Sequence, residues 1–155
     1  LLAHFDQDGR QYLVQEFIEG FTLAQELAAK GAFNETQIRQ LLDDLLPLLE
    51  FVHNHEVIHR DTKPDNIIRR SPPSPPFLRG GVVEGQLVLV DFGAAKVATA
   101  AALQHTGTTI GSPEYVAPEQ ARGRAVFASD IYSLGVTCVH LLTRMSPFDL
   151  YDIRE

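Results

Sequence analysis

The sequence predicts an α+β fold, in which short β-strands and amphipathic helices occupy separate stretches of the chain. Apolar runs typical of strands occur at residues 11–17, 67–68 and 86–90, whereas apolar residues recur at helical spacing over residues 38–52. The 155 residues are 45% hydrophobic and 21% charged. This composition is that of an ordinary globular protein and excludes a disordered, charge-rich chain.

The N-terminal segment predicts a hairpin followed by a short helix. Residues 6–9 (DQDG) are typical of a turn, and residues 11–17 would form the second strand, which Gly20 ends. Thr22 begins a capping-box pattern, and Gly31 stands where a C-terminal capping glycine is expected. We therefore expect the first helix to lie between these two caps.

Two longer helices follow from caps and periodicity. Asn34 can cap a helix whose apolar residues continue to position 52, and Pro47 inside it predicts a kink, because an interior proline costs about 3 kcal/mol. A second long helix is predicted over residues 129–143, with Asp130 in its first turn. Residues 67–68 and 86–90 are expected to pair as a hairpin.

Residues 71–85 are rich in proline and glycine, a composition that favours extended or disordered chain. We interpret this segment as an insertion that loops out between two paired strands. The alternative is a proline-rich ligand for the aromatic groove of a partner protein.

Charge and cysteine content limit the classes of partner and location. The net charge of −7 provides no overall positive field for nucleic acid, so no nucleic-acid partner is predicted. The longest uncharged apolar-rich stretch, residues 131–143, is shorter than the roughly 20 residues that a membrane-spanning helix needs. The single cysteine, Cys138, cannot form an intrachain disulfide, which favours a cytoplasmic location.

Three polar clusters, at residues 59–66, 91–93 and 111–119, carry groups that a simple apolar core would exclude. Asn66 precedes one strand-like run and Asp91 follows the next, and these two runs can pair. Their oxygen atoms suit Mg²⁺ together with substrate phosphates. Asp61 would then be free to accept the proton of an attacking hydroxyl group. Lys63 could neutralise charge on a transferred phosphoryl group.

These clusters resemble the motifs of the eukaryotic-type protein kinase family, in its bacterial serine/threonine branch. H-R-D-x-K-P-x-N matches residues 59–66, D-F-G matches residues 91–93 and A-P-E matches residues 117–119. The resemblance implies a protein-kinase-like fold that consists mostly of the helical C-lobe. Residues 1–20 would be the end of the N-lobe and the hinge, and residues 21–155 the C-lobe up to the Asp130 helix.

The resemblance also implies transfer of the γ-phosphoryl group of ATP to a Ser or Thr hydroxyl of a protein substrate. Asp61 would be the catalytic base and Lys63 the γ-phosphate contact, with Asn66 and Asp91 as ligands of Mg²⁺ or Mn²⁺. Lys63 favours Ser/Thr over Tyr as the acceptor. In the hinge, the backbone groups of Glu16 and Ile18 would bind adenine, with Gln15 as gatekeeper and Ile68 on the floor of the adenine site.

Regulatory and structural roles follow from the same resemblance. Arg60 would pair with a phosphate on an activation loop at residues 91–119, a bond that orders such loops in other kinases. Ser112 would touch the catalytic loop. The candidate phosphate acceptor is Thr108, with Thr106 and Thr109 as alternatives, although ordinary loop polarity also explains these threonines.

The expected structural residues are His59, Phe92, Gly93, Glu119 and Asp130. The buried charge of Glu119 is expected to be left without a partner.

The sequence also departs from the kinase pattern. It contains no G-x-G-x-x-G loop, and its first lysine, Lys30, lies beyond the expected hinge. We therefore expect a partial domain that is weak or inactive alone. The alternatives are a non-catalytic kinase-like binding module, the remnant of a truncated gene, and a small-molecule phosphotransferase. Arg60, Lys63 and residues 111–119 disfavour the phosphotransferase.

Overall fold

A computed structural model of the chain describes residues 3–71, 85–92, 96–97 and 111–151. The strands in these ranges are β1 (Ala3–Gln7), β2 (Arg10–Val14), β3 (Gly20–Thr22), β4 (Val57–Ile58), β5 (Ile67–Arg70), β6 (Leu87–Leu89) and β7 (Lys96–Val97). The helices are α1 (Leu23–Lys30), α2 (Glu35–Asn54), α3 (Pro118–Ala121), α4 (Phe127–Thr143) and α5 (Pro147–Tyr151), and a 3₁₀ turn spans Pro64–Asn66. The chain thus has the predicted α+β class.

The N-terminal hairpin is confirmed, but its second strand is shorter than predicted. Strands β1 and β2 pair antiparallel around a turn in which Asp8 and Gly9 have φ of 52° and 72°. Strand β2 ends at Val14 rather than at residue 17. The prediction that Gly20 ends a strand is wrong, because Gly20 begins β3 and its backbone approaches the Arg69 carbonyl too closely to allow a side chain.

A three-stranded antiparallel sheet with the order β3-β5-β6 lies beside the predicted catalytic loop. The predicted hairpin between residues 67–68 and 86–90 is confirmed, because Ile67 pairs with Leu89 and Ile68 with Val88. A 2.9 Å hydrogen bond from Arg70 N to Gln86 O continues this pairing towards the expected insertion. Residues 72–84 of that insertion lie outside the described residues.

The helix boundaries follow the predicted caps. Thr22 Oγ1 accepts a hydrogen bond from Gln25 N at 3.1 Å, and Asn34 Oδ1 accepts one from Gln37 N at 3.0 Å, so both helices begin with a capping box. Gly31 has φ of 87° and ends α1, as predicted. Helix α2 continues through Pro47, which lies on its exposed face.

The core forms where α2 packs against α4 and the three-stranded sheet. One face of α2 buries residues at helical spacing: Ile38, Leu41, Leu45, Leu49 and Val52. Their partners include Leu134, Cys138 and Leu141 of α4 and Ile67 and Leu89 of the sheet. Each fully buried leucine contributes about 1.5–3 kcal/mol relative to an exposed one. The loop between β4 and β5 is therefore held on a rigid base.

Cys138 belongs to this core as a small apolar side chain. It is a free, buried thiol, and burial raises its pKa to about 11. Within the described ranges, the longest helices are too short or too polar to cross a lipid bilayer.

Candidate active site

The carboxylate of Asp130 anchors the backbone of the loop that follows β4. Asp130 is fully buried in the first turn of α4, where Oδ2 accepts a 2.9 Å hydrogen bond from His59 N and Oδ1 accepts a 2.8 Å bond from Arg60 N. His53 Nε2 lies 2.8 Å from Oδ2 and supplies a third contact. The positive end of the helix dipole also stabilises a carboxylate at this position. Sequence spacing does not predict the His53 contact, because this contact depends on tertiary packing.

His59 links this loop to the segment that follows β6. Its Nε2 lies 3.0 Å from the Val90 carbonyl oxygen, which can only accept, so Nε2 carries the proton and Nδ1 is left to accept a 3.3 Å bond from Asp61 N. Burial lowers the pKa of His59, which keeps the ring neutral near pH 7. The ring meets Phe92 edge-on with centroids 4.7 Å apart, so two of the expected structural residues contact each other.

Asp61 is oriented by one group from the adjacent 3₁₀ turn and one from a segment distant in sequence. Its Oδ1 accepts a 2.9 Å hydrogen bond from Ser112 N, and its Oδ2 accepts a 2.9 Å bond from Asn66 Nδ2. Lys63 Nζ lies 3.6 Å from the same Oδ2 and donates a 2.6 Å bond to Ser112 Oγ. The structure thus brings these four predicted site residues together around one half-buried carboxylate.

Asn66 and Asp91 are brought close by the backbone between them. Val90 N donates a 2.9 Å hydrogen bond to Asn66 O, and Asp91 is the next residue along the chain. Asn66 Nδ2 donates to Asp61 O at 2.8 Å as well as to its carboxylate, so the Asn66 side-chain oxygen remains available as a ligand. This oxygen and the exposed Asp91 carboxylate form a donor set that suits a hard cation such as Mg²⁺. The described residues contain no cluster of three or more His, Cys, Asp or Glu side chains that could hold a metal.

Two site residues have left-handed backbone conformations. Arg60 has φ of 68° and Asp91 has φ of 63°, which costs of order 1–3 kcal/mol for each residue. Arg60 is held in place by the Asp130 bond to its N–H and by a 2.6 Å bond from Gln120 Nε2 to its carbonyl oxygen. Gln120 is buried just after the A-P-E motif, and sequence reasoning missed it.

The expectation that Glu119 lacks a partner is wrong for the described residues. Glu119 Oε1 accepts a 2.6 Å hydrogen bond from Ser129 Oγ in the first turn of α4. The same hydroxyl oxygen accepts a 3.0 Å bond from Val126 N. Because a hydroxyl group both donates and accepts, Ser129 satisfies the carboxylate without an arginine.

The predicted hinge residues lie beside the three-stranded sheet. Glu16 Oε1 accepts a 2.9 Å hydrogen bond from Arg70 Nη2, and Glu19 O accepts a 2.8 Å bond from Ser71 N. Ile18 is half-buried, as is Ile68 in β5.

A second ion pair of the same region escaped sequence reasoning. Arg69 Nε donates a 2.9 Å hydrogen bond to the largely buried Glu26 of α1. The expected acceptors Thr106, Thr108 and Thr109, and Gly93, lie outside the described residues.

Comparisons with known proteins show the family to which the chain belongs. The family described as "Protein kinase domain" matches residues 1–154. Serine/threonine-protein kinase C of Synechocystis sp. is 43% identical over 95% of this chain and 26% of its own length. Serine/threonine-protein kinase PknA of Nostoc sp. is 41% identical over 97% of this chain and 26% of its own length. Serine/threonine-protein kinase PrkC of Bacillus subtilis is 32% identical over 93% of this chain and 20% of its own length.

The chain thus spans about a quarter of the length of the curated relatives it matches. The family match covers nearly all of its residues, including those that surround Asp61. The chain therefore belongs to the protein kinase family.

Proposed function

We propose that the chain provides the catalytic loop and metal-binding segment of a serine/threonine protein kinase. The reaction is transfer of the γ-phosphoryl group of ATP to a Ser or Thr hydroxyl of a protein substrate. One observation carries the proposal: the Asp61 carboxylate is held by Ser112 N and Asn66 Nδ2, with the Lys63 ammonium 3.6 Å away.

Asp61 acts as the catalytic base in this proposal. As the substrate oxygen forms its bond to the γ-phosphorus, its proton passes to the Asp61 carboxylate, and the bond from the γ-phosphorus to the bridging oxygen breaks to release ADP. The two hydrogen bonds to Asp61 fix the direction of its oxygen atoms before substrate binds, so less reorganisation is needed during transfer.

Lys63 and the metal ligands balance the charge of the transferred group. Lys63 Nζ lies between Asp61 and Ser112, where its positive charge can stabilise the phosphoryl oxygens. Asn66 and Asp91 would hold Mg²⁺, with Mn²⁺ as a substitute. When bound, the cation neutralises negative charge on the ATP phosphates.

The remaining roles extend the proposal to nucleotide binding and regulation. The backbone groups of Glu16 and Ile18 bind adenine over Ile68, with Gln15 as gatekeeper, so residues 1–20 act as the hinge and the end of the N-lobe.

In the C-lobe, Arg60 pairs with a phosphate on the activation loop. The acceptor is Thr108, with Thr106 and Thr109 as alternatives. Intact-protein mass spectrometry after incubation with ATP tests this step, because absence of phosphate between residues 94 and 110 contradicts it. We also propose a cytoplasmic location, which the single buried thiol favours.

Phosphoryl transfer from ATP labelled at the γ-phosphate tests the catalytic role of Asp61. The assay compares two proteins: the 155-residue chain, and the full protein encoded by the open reading frame that contains it. Each is assayed unchanged, with Asp61→Asn, and with Asp43→Asn as a matched control on the exposed face of α2. We expect the full protein encoded by the open reading frame to transfer phosphate. Asp61→Asn should lower its rate by at least about 100-fold, whereas Asp43→Asn should leave the rate unchanged.

Three other outcomes would contradict parts of the proposal. Transfer that persists in Asp61→Asn would remove Asp61 from the base role. Strong transfer by the 155-residue chain, abolished by Asp61→Asn, would show that the expectation of weak activity was wrong. If the full protein encoded by the open reading frame transfers no phosphate but still binds proteins, the non-catalytic binding module is favoured.

A further inference from the structure

The hinge segment, which we define as residues 15–19, lies between two strands and belongs to neither. Strand β2 ends at Val14 and β3 begins at Gly20, so the backbone between them lies outside the strand pairing. Its residues are exposed except for Ile18, which is half-buried. A segment with little buried surface opens easily unless other contacts hold it. The position of the hinge segment therefore depends on the groups that tie it to the sheet.

Two contacts tie the hinge segment to the end of β5. Ser71 N donates a 2.8 Å hydrogen bond to Glu19 O, which continues the pairing of β3 with β5. Arg70 Nη2 donates a 2.9 Å hydrogen bond to Glu16 Oε1, near the other end of the segment. Both groups of this second bond are charged, which makes it stronger than a bond between neutral groups. Arg70 thus holds the residue whose own backbone is expected to bind adenine.

The surroundings of Arg70 favour this ion pair. Its Nε atom is buried and meets no acceptor among the described residues, so the guanidinium group is partly removed from water. Attraction between opposite charges is stronger where water is excluded. At Gly20 the backbones of β3 and β5 approach too closely to allow a side chain, so this end of the hinge segment is fixed against β5. Glu16 is therefore the point at which a further contact restricts the segment.

Arg69, the preceding residue of β5, makes a similar bond on the other face of the strand. Successive side chains of a strand point to opposite faces, and Arg69 Nε donates a 2.9 Å hydrogen bond to Glu26 Oε1 in α1. The Glu26 side chain is only 7% exposed, whereas the side chains of Arg70 and Glu16 are 39% and 62% exposed. Loss of a partner is costly for a buried carboxylate, but an exposed ion pair contributes little to stability. Arg69 therefore supports the fold, and Arg70 can be changed without unfolding it.

We propose that Arg70 is a positioning residue for nucleotide binding, which holds the hinge segment in place through its ion pair with Glu16. The assignment rests on the proposed kinase function, in which the backbone groups of Glu16 and Ile18 bind adenine over Ile68 of the same strand. Without the ion pair, nucleotide binding must order the hinge segment, and the loss of conformational entropy weakens binding. Arg70 contacts no reacting group, so it acts on nucleotide affinity rather than on the transfer step.

Binding of ADP to the full protein encoded by the open reading frame tests the assignment. Isothermal titration calorimetry at a fixed Mg²⁺ concentration measures the dissociation constant. We expect Arg70→Gln and Glu16→Gln each to weaken binding about 5-fold, which corresponds to about 1 kcal/mol. Because both changes remove the same interaction, the double variant should bind no more weakly than either single variant. Reversal of the two charges in Glu16→Arg/Arg70→Glu should restore most of the affinity.

Arg39→Gln is the matched control, because Arg39 Nη2 lies 2.7 Å from Glu35 Oε1 in another exposed ion pair, on α2. This variant should keep the original affinity for ADP. Arg70→Gln and Arg39→Gln should have similar thermal unfolding midpoints, since each loses one exposed ion pair. If Arg70→Gln is unfolded, Glu16→Gln alone carries the comparison.

Two results of these titrations would overturn the assignment. The first is an affinity for ADP that Arg70→Gln leaves unchanged, or lowers no more than Arg39→Gln does. The second is a loss in the double variant that equals the sum of the two single losses, because the effects of Arg70 and Glu16 would then be independent.

A kinase assay with the same full protein separates this assignment from the proposed function. We expect Arg70→Gln to raise the KM for ATP about 5-fold and to leave kcat unchanged. If phosphate is transferred with the same KM for ATP in the original protein and in Arg70→Gln, the kinase function stands and the assignment fails. If ADP binding depends on Arg70 and Glu16 as expected but no phosphate is transferred, the assignment stands and the kinase function fails.

Discussion

Lys63 Nζ donates a 2.6 Å hydrogen bond to Ser112 Oγ, although the two residues are 49 positions apart in sequence. The bond joins the catalytic loop to the segment that precedes α3. Ser112 also uses its backbone N–H to bind Asp61 Oδ1 at 2.9 Å. One residue therefore positions both the proposed base and the cation beside it, and both contacts depend on the placement of the 111–119 segment.

Replacing Ser112 tests whether this hydroxyl positions Lys63 for catalysis. Ser112→Ala keeps the backbone bond to Asp61 but removes the acceptor of Lys63. A small displacement of a reacting group slows the reaction strongly. We therefore expect the phosphoryl-transfer rate of the full protein encoded by the open reading frame to fall by about 10- to 100-fold. Steady-state kinetics should show the loss mainly in kcat.

Ser112→Thr is the conservative comparison, since it retains a hydroxyl and should restore most of the rate. Thr36→Ala, which removes an exposed hydroxyl in the first turn of α2, should leave the rate unchanged. A Ser112→Ala protein with normal kcat would show that the Lys63–Ser112 bond has no catalytic consequence.

Removing the Asp130 carboxylate should destabilise the fold as a whole. Asp130→Ala leaves the N–H groups of His59 and Arg60 without their buried acceptor. Each such loss costs about 1–3 kcal/mol, so we expect the free energy of unfolding to fall by about 3 kcal/mol or more. Urea denaturation followed by circular dichroism measures the change.

Asp43→Asn, a change of an exposed carboxylate on α2, should stay within about 0.5 kcal/mol of the original protein. Asp130→Asn keeps one side-chain oxygen as an acceptor and should lie between the other two variants. A loss below about 1 kcal/mol in Asp130→Ala would mean that the loop finds other acceptors for its backbone.

The neutral state of His59 predicts that stability depends on pH. Burial lowers the pKa of His59 from its ordinary value of 6.5, so the unfolded chain binds a proton more readily than the folded chain does. The contribution of the neutral His59 side chain to the free energy of unfolding is fully present above pH 6.5. It is lost as the pH falls from 6.5 towards the lower pKa of His59 in the folded protein.

Urea denaturation at a series of pH values measures this contribution. His59→Gln removes the titrating group, so the free energy of unfolding of the variant should decline less steeply below pH 6.5 than that of the original protein. Equal slopes for the two proteins would mean that His59 contributes nothing to the pH dependence.

Local patterns in the sequence predicted the elements that local interactions determine. The capping boxes at Thr22 and Asn34 depend on residues three positions apart, and both are present in the structure. The length of β2 was overestimated, because a strand extends only as far as its pairing and the last pair of β2 joins Val14 to Ala3, the first described residue. Gly20 was misassigned because its role depends on the approach of β5.

The candidate site shows the same division between local and distant contacts. The motif residues Asp61, Lys63, Asn66 and Ser112 were all identified from sequence and lie together. The supporting contacts of His53, Gln120 and Ser129 were not identified, since each joins elements that only tertiary packing brings together. Chemistry in a motif is visible in the sequence, whereas the groups that hold it in place are recognised from the fold.

A methyl group added at Gly111 should disrupt the site more than one added at another left-handed glycine. Gly111 has φ of 117°, and a Cβ there would lie 2.6 Å from Arg60 O and 2.8 Å from Gln120 Nε2. Gly31 has φ of 87° with no atom within 4 Å of the corresponding position. Both substitutions by alanine carry backbone strain of about 1–2 kcal/mol, but only Gly111→Ala adds a clash with backbone.

We therefore expect Gly111→Ala to lower the free energy of unfolding by at least about 1–2 kcal/mol more than Gly31→Ala, because the new methyl group must displace the Arg60 carbonyl or the Gln120 side chain. Displacement of Arg60 also shifts the neighbouring Asp61. The phosphoryl-transfer rate of the full protein encoded by the open reading frame should therefore fall in Gly111→Ala and stay unchanged in Gly31→Ala. Denaturation and kinetics on the same preparations measure both effects. Equal destabilisation by the two substitutions would mean that the segment at Gly111 moves freely away from Arg60, and the close packing that positions Ser112 would then be ruled out.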